Sequence, residues 1–247
     1  MNVILRRRNL GRTSCREISR FSEEPIRVVR NDRVGAPDAG TLFRWGCTSD
    51  IGEVGTVVNT AKAIHEVNNK KDFRMLLQND GTDLVPETFT EESITMWNPH
   101  YPVVLRPGTH SRGRNIYVVN THIELLDTVR RRNIHNWYAS RLVYKAAEYR
   151  VAVAQGRVVW VERKTPGNPE DVAWNVARGG RFDNVNWDAW PLQAVRKSVE
   201  AFNISSLDFG GVDVMVDQEG KAYIIEINSA PSLTSPYRQE CFAKVFD

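Results

Sequence analysis

The sequence has few of the features that mark secreted, membrane-bound or zinc-binding proteins. Its three cysteines, Cys15, Cys47 and Cys241, are far apart and form no C-x-x-C pair, which argues against a disulfide framework and a structural zinc site. No window approaches the ~18 apolar residues that cross a bilayer. The apolar stretch before Arg6 is too short for a signal peptide. We therefore expect a cytoplasmic protein without a membrane partner.

Charge of one sign is also scarce, since the formal net charge is only +3 over 247 residues. A nucleic-acid-binding protein usually concentrates positive charge, so we expect no nucleic-acid partner. The five histidines have no metal-ligand spacing and lie in no Ser or Cys nucleophile motif. These absences exclude several enzyme classes and leave an ordinary folded protein.

The hydrophobic pattern predicts an α+β fold that begins with a short α/β unit. Strands are predicted at Val3–Arg7, Ile26–Arg30 and Thr41–Trp45, with a helix at Thr13–Phe21. Further along, strand pairs dominate. The Gln155-Gly156 dipeptide predicts a tight turn between two of them.

The segment LDFGGVDVMVDQEGKAYIIEINS, residues 207–229, predicts a β-hairpin in which Asp213, Glu226 and Asn228 interrupt apolar runs. Glu226 and Asn228 share a face because side chains alternate along a strand. Asp213 joins them if the connecting loop has an even number of residues, whereas an odd loop needs a bulge. Two interpretations stay open: a solvated hairpin face, or a magnesium site made of oxygen ligands.

A second segment, PVVLRPGTHSRGRNIYVV, predicts a strand that carries Arg106, a glycine-containing loop, and a returning strand. Glycine lets backbone N–H groups approach phosphate, while Ser111, Arg112 and Arg114 add donors and charge. The loop lacks the ending of a P-loop, so a plain basic hairpin loop is the alternative. Arg150, Arg163 and Lys164 are further bases, for which a surface position is the alternative.

Taken in chain order, these segments resemble the ATP-grasp superfamily of carboxylate–amine ligases. The shared order is a helix-start lysine, the Arg106 strand with its loop, an E-Y-R-V strand from Glu148, N-x-x-R-G-G from Asn175, and D-x₁₂-E-x-N. The similarity is greatest to the branch of ribosomal-protein glutamate ligases and to small phage-encoded members. It covers nearly the whole chain, and the terminal D…E-I-N-S-A-P-S-L is its most specific part.

The resemblance implies an ATP-grasp fold, in which two α+β lobes hold ATP, preceded by a short α/β unit. It divides the chain into that unit at 1–66, a central lid lobe at 67–143, and a C-terminal lobe with the magnesium site at 144–247. It also implies ATP and Mg²⁺ as cofactors. The carboxylate and amine substrates would be small molecules or peptides, and a homo-oligomer is left open.

The resemblance also implies roles for individual residues. Asp213, Glu226 and Asn228 match the magnesium ligands, and Arg106 stands where most members have a phosphate-binding lysine. Counting eleven residues back from Gly81 gives Lys70 as the other phosphate-binding lysine, with Lys71 not excluded. Ser111, Arg112, Lys145 and Glu148 are assigned to the nucleotide; Arg163, Asn175 and Arg178 to the γ-phosphate and acyl phosphate.

One departure concerns Gly211, which stands where D-alanine–D-alanine ligases have an arginine, so that Arg178 or Arg163 would supply that charge. The function implied is an ADP-forming ligase that makes an amide or peptide bond through an acyl phosphate. An ATP-grasp kinase and a nucleotide-binding module without turnover are the alternatives.

Overall fold

A computed structural model of the chain describes residues 2–32, 40–52, 55–94, 99–108, 115–174 and 179–246. Within these residues the chain forms three β-sheets, flanked by helices. None of the helices in the described ranges is both long and apolar enough to cross a bilayer.

The first sheet is parallel, with strand order β2-β1-β3-β4. Its elements are β1 (Asn2–Arg6), α1 (Arg12–Phe21), β2 (Ile26–Arg30), β3 (Thr41–Trp45) and β4 (Thr56–Val58). The apolar strand residues are buried on both faces of the sheet, as expected for a parallel sheet with buried faces. The predicted α/β beginning is therefore present.

The second sheet is antiparallel, with strand order β5-β8-β6-β7. Its strands are β5 (Thr88–Thr90), β6 (Val103–Pro107), β7 (Tyr117–Val119) and β8 (Trp137–Arg141), and α4 (His122–Arg132) lies between β7 and β8 in the chain. Leu125 of α4 shares a core with Leu105 and Ala139. Arg106 and Tyr138 alternate with those residues and therefore point to the opposite face.

The third sheet is antiparallel, with strand order β11-β10-β9-β12-β13. Its strands are β9 (Lys145–Ala154), β10 (Arg157–Thr165), β11 (Arg181–Val185), β12 (Phe209–Asp217) and β13 (Ala222–Asn228). One face packs on α5 (Leu192–Ile204) and on two helices that precede the second sheet, α2 (Ala61–Asn68) and α3 (Lys70–Asn79). The boundary expected between residues 66 and 67 thus falls within α2.

The tight turn predicted at Gln155-Gly156 is confirmed. Both residues have positive φ, 49° and 72°, and they join β9 to β10 in an antiparallel hairpin. Two consecutive positive φ values define the mirror-image turn whose twist matches that of the strands.

A helix that the sequence analysis did not assign, α6 (Pro236–Phe246), joins the first sheet to the third. Phe242 is fully buried; its ring lies 4.8 Å from Trp160 of β10 and 5.7 Å from Trp45 of β3. Phe209 of β12 completes the contact at 5.8 Å. Edge-to-face aromatic pairs of this kind stabilise beyond their buried area.

Phe242→Ala is expected to lower the free energy of unfolding by about 3–5 kcal/mol, since it removes a buried ring shared by two sheets. Urea unfolding followed by circular dichroism measures this. Tyr237→Ala, in the same helix but half exposed, is the control and should cost less than about 1 kcal/mol. Equal losses in the two variants would contradict the role given to α6.

Candidate functional site

One face of the third sheet carries a row of charged residues across four strands. Cross-strand register places Glu162 of β10 opposite Arg150 of β9, Arg150 opposite Asp213 of β12, and Asp213 opposite Glu226 of β13. The other face of these strands packs its apolar side chains against α5. The charged row therefore faces away from the main core, and it is the natural place to look for a ligand site.

The hairpin of β12 and β13 reaches this register by a route that differs from the simplest expectation. Its loop has three residues, 218–220, closed by a hydrogen bond from the Asp217 amide to the Lys221 carbonyl, and Gly220 adopts a φ of 82°. Val214 pairs with Ile224, but Asp213 pairs with Glu226, so Ile225 is an extra residue. The loop is odd rather than even, and a β-bulge restores the shared face.

Asp213 is the best-partnered carboxylate of the row. Arg150 donates to both of its oxygens, at 2.8 and 2.9 Å, and Lys164 Nζ lies 3.6 Å from Oδ2. Burial alone would raise the pKa of Asp213, but these cations outweigh it and lower the pKa to about 2. Asp213 is therefore ionised at neutral pH although only 4% of its surface is exposed.

Glu226 is held by a residue distant in sequence. Lys70, at the start of α3, forms an ion pair with Oε2, while Asn228 Nδ2 donates to Oε1 at 3.2 Å. Burial raises the pKa of Glu226 and Asp213 raises it further, but Lys70 prevails and the pKa is lowered. Asp213, Glu226 and Asn228, predicted together from the hairpin, thus lie together on one face.

A second row, beside the first, is built around Glu148. Lys145 donates to Glu148 Oε2 at 2.8 Å, and Lys164 pairs with Oε1. Lys145 also lies 4.3 Å from the Trp174 ring. Burial lowers the pKa of Lys145, with Glu148 opposing it; Asp213 and Glu148 raise the pKa of Lys164 despite burial. Glu148 thus holds two buried lysines at the site.

The Phe182 ring of β11 covers the cations of the site from one side. The Arg150 guanidinium lies 4.7 Å from the ring centre, the Arg238 guanidinium 5.3 Å, and the Lys164 ammonium 5.4 Å. Arg238 belongs to α6 and pairs with Glu162 at the end of the charged row. Contacts with an aromatic face stabilise desolvated cations.

Arg106 approaches the site from the second sheet. It lies on β6 directly opposite Tyr138 of β8, and its charge influences the pKa values of Arg74 and Lys145. Arg106 Nε is buried and has no hydrogen-bond partner in the part of the chain that the structure describes. An unpartnered buried donor is costly, so it favours an anionic ligand at this position.

Several predicted residues are not brought to this site. Arg163 is exposed and lies on the other face of β10, opposite Asp183. The neighbouring Lys164 occupies the site face instead. Ser111, Arg112, Asn175 and Arg178 lie outside the described residues, and their roles stay predictions.

Sequence reasoning undervalued Arg150 and Lys164, for which it kept a surface position as the alternative. The structure buries Lys164 and hydrogen-bonds Arg150 to Asp213. One signal was available: Glu148 and Arg150 are two apart in a strand, so they share a face with each other and with whichever residues oppose them. Register could not be read from the sequence, and register decided between Arg163 and Lys164.

The donor atoms of the site fit a magnesium ion bound with a polyphosphate. The described residues contain no group of three or more His, Cys, Asp and Glu side chains suited to a metal. The available set is two carboxylates and the Asn228 amide oxygen, all hard donors. Six cations accompany three carboxylates: Lys70, Arg74, Arg106, Lys145, Arg150 and Lys164 with Glu148, Asp213 and Glu226. The surplus of positive charge suits an anion with several charges.

Comparison with known proteins adds a family and a fold. A family described as an ATP-grasp domain, the third family of its clade, matches residues 108–245, more than half of the chain. No curated protein sequence matches significantly.

Among solved structures, the ATP-grasp ligase PsnB complexed with minimal precursor, Mg and ADP has a TM-score of 0.71 and 11% identity, covering 99% of this chain and 96% of that chain. A Chryseobacterium gregarium RiPP-associated ATP-grasp ligase in complex with ADP, and a leader and core peptide, has a TM-score of 0.67 and 15% identity, with coverage of 100% and 96%. The RimK domain protein ATP-grasp from Sphaerobacter thermophilus has a TM-score of 0.69 and 15% identity, covering 99% of each chain. The predicted ATP-grasp fold is confirmed.

Arg150→Met is expected to lower the free energy of unfolding by about 3–5 kcal/mol at neutral pH, because it leaves a buried carboxylate without its main partner. The folded-state pKa of Asp213, about 2, lies below its ordinary value. The stabilisation is therefore complete above that ordinary value and is lost as the pH falls toward 2. Denaturant unfolding across this pH range should show the gap between wild type and variant narrowing in acid.

Arg131→Met is the matched control for this experiment. Arg131 donates to Asp127 at 2.8 Å, but both side chains are exposed on α4. Its loss should change stability by less than about 1 kcal/mol, with little dependence on pH. A gap for Arg150→Met that stays constant down to pH 2 would contradict the assigned ion pair.

Proposed function

The chain belongs to this family of ATP-grasp domains, and from that premise we propose that it is an ADP-forming ligase joining a carboxylate to an amine. The observation that carries the proposal is the Asp213–Glu226 pair, set among surplus cations below the unpartnered Arg106 donor. This combination suits a nucleoside triphosphate with its metal. The family and the ligases among the structural neighbours support the same reaction class.

In this proposal the phosphates of ATP lie between the second and third sheets. Arg106 reaches them from β6, while Lys70 and Lys145 reach them from the start of α3 and of β9. Arginine at position 106 offers a planar set of donors where a lysine offers one point charge. Its buried Nε would gain the partner that it lacks, which favours a bound nucleotide over an empty cleft.

Asp213, Glu226 and Asn228 would hold Mg²⁺, which when bound neutralises charge that develops on the phosphates. Arg150 keeps Asp213 ionised and oriented, and Asn228 orients Glu226. Lys70 forms an ion pair with Glu226, so it has a partner in exchange when phosphate arrives. We assign to Lys164 the charge that was expected from Arg163, because Lys164 lies on the site face.

The proposed chemistry needs no side-chain nucleophile. A carboxylate oxygen of the substrate attacks the γ-phosphorus, the bond to the bridging oxygen breaks, and ADP leaves. The amine then attacks the acyl carbon, inorganic phosphate leaves, and the amine loses a proton. Positioning and fixed positive charge supply most of such catalysis. Asn175 and Arg178 are the proposed contacts of the transferred phosphoryl group.

The substrates are proposed as a class. PsnB and the C. gregarium ligase are described in complex with precursor, leader or core peptides. A peptide carboxylate or a peptide amine is therefore a reasonable first choice for this chain, beside amino acids and small acids. A screen for ADP release over these mixtures, with magnesium present, is the first experiment.

Glu226→Gln and Asp213→Asn are expected to weaken ATP binding in the presence of magnesium, and ADP release, by more than about tenfold, because each removes a charged metal ligand. Isothermal titration calorimetry and coupled ADP detection measure the two effects. Glu219→Gln, an exposed change at the turn of the same hairpin, is the control and should leave both unchanged. Unaltered magnesium-dependent binding in Glu226→Gln would contradict the metal assignment.

Hydroxylamine in the assay distinguishes the remaining outcomes. A ligase that forms an acyl phosphate yields a hydroxamate. Release of ADP without hydroxamate would instead indicate a kinase that makes a phosphate ester. Binding of ATP with magnesium, but no ADP from any mixture, would indicate a nucleotide-binding module.

A further inference from the structure

The β-bulge at Ile225 sets the geometry of the proposed metal site. Without it, the pairing of Val214 with Ile224 would continue, and Asp213 would lie opposite Ile225. Glu226 would then turn to the face that packs on α5, because one step of register exchanges the two faces of a strand. The carboxylate pair exists only because β13 contains this one extra residue.

A bulge on an edge strand needs partners for backbone groups that the ladder no longer uses. β13 is the edge strand of its sheet. On its outer side the Ile224 amide donates to the Leu84 carbonyl at 2.7 Å. Arg74 Nη2 donates to the Ile225 carbonyl at 2.8 Å and to the Ile224 carbonyl at 3.4 Å. Arg74 therefore bonds the carbonyl groups of the bulge itself.

Arg74 is itself fixed from three directions. It is almost fully buried, with 4% of its surface exposed, and it lies one helical turn after Lys70 on α3. Its guanidinium lies 5.8 Å from the centre of the Tyr138 ring on β8. Burial lowers its pKa to about 10, so the side chain is still charged at neutral pH. A buried charge at a backbone bulge is costly unless it has a specific task.

We propose that Arg74 is a positioning residue for the metal site: by bonding the bulge of β13, it fixes Glu226 on the same face as Asp213. This inference rests on the proposed function and adds to it a residue that touches neither metal nor nucleotide. Lys70 and Arg74 divide the work, since Lys70 pairs with the Glu226 carboxylate and Arg74 holds the backbone that carries it.

The test compares ATP affinity with magnesium to ATP affinity with EDTA, by isothermal titration calorimetry on the full chain. In Arg74→Met the ratio of the two affinities should fall by about 10–100-fold, the usual range for residues that support metal ligands. Affinity in EDTA should change less than twofold. Arg74→Lys, which keeps the charge and a donor, should recover part of the ratio.

A second measurement needs no metal. Hydrogen exchange of the apo protein should be faster in the peptide that spans residues 222–228 of Arg74→Met, because the bulge loses its partner. Gln78→Met is the matched control: Gln78 lies one turn further along α3, and its amide makes two hydrogen bonds with the backbone of Thr88. That variant should lose stability without altering exchange at 222–228 or the magnesium ratio.

The outcomes separate the two proposals. If wild type shows no magnesium-dependent ATP binding, the proposed function fails. If wild type shows it and Arg74→Met keeps the full ratio, only the role of Arg74 fails. Loss of fold in Arg74→Lys, or an equal fall of the ratio in Gln78→Met, would also overturn a specific positioning role.

Discussion

Compensation of buried charge is the constraint on which this structure depends. A carboxylate on the face of a packed sheet is unfavourable unless cations and donors surround it. Here Asp213, Glu148 and Glu226 each have at least one basic partner, drawn from β9, β10 or α3. The ion pairs consequently tie together elements that are distant in the chain, and the apolar cores lie around them.

The same compensation prepares the site for a ligand. Cations that neutralise carboxylates in the free protein lie where a polyphosphate and its metal would require them. The free energy of placing them there is spent during folding, so that fewer groups must reorganise on binding. Burial of Arg106 Nε without a partner among the described residues shows the other side of this arrangement, since one donor stays uncompensated until an anion arrives.

Much of the fold and site could be predicted from local sequence patterns. The β2 and β3 strands match their predicted bounds, and the grouping of Asp213, Glu226 and Asn228 follows from alternation along two strands. What could not be predicted depends on register and tertiary contact. The choice of Lys164 over Arg163, the odd loop with its bulge, and the docking of α6 all depend on distant partners such as Asp213, Arg74 and Trp45.

The bulge also determines how the length of this hairpin can vary. From Asp217 to Asp213 the chain takes four steps, while from Lys221 to Glu226 it takes five. An insertion in the loop at 218–220 leaves both counts intact and the two carboxylates together. A single deletion between 221 and 226 makes the counts equal and removes the extra residue that the guanidinium of Arg74 bonds. Tolerance to insertions and deletions should therefore change abruptly within a few residues, from the turn to the strand beside it.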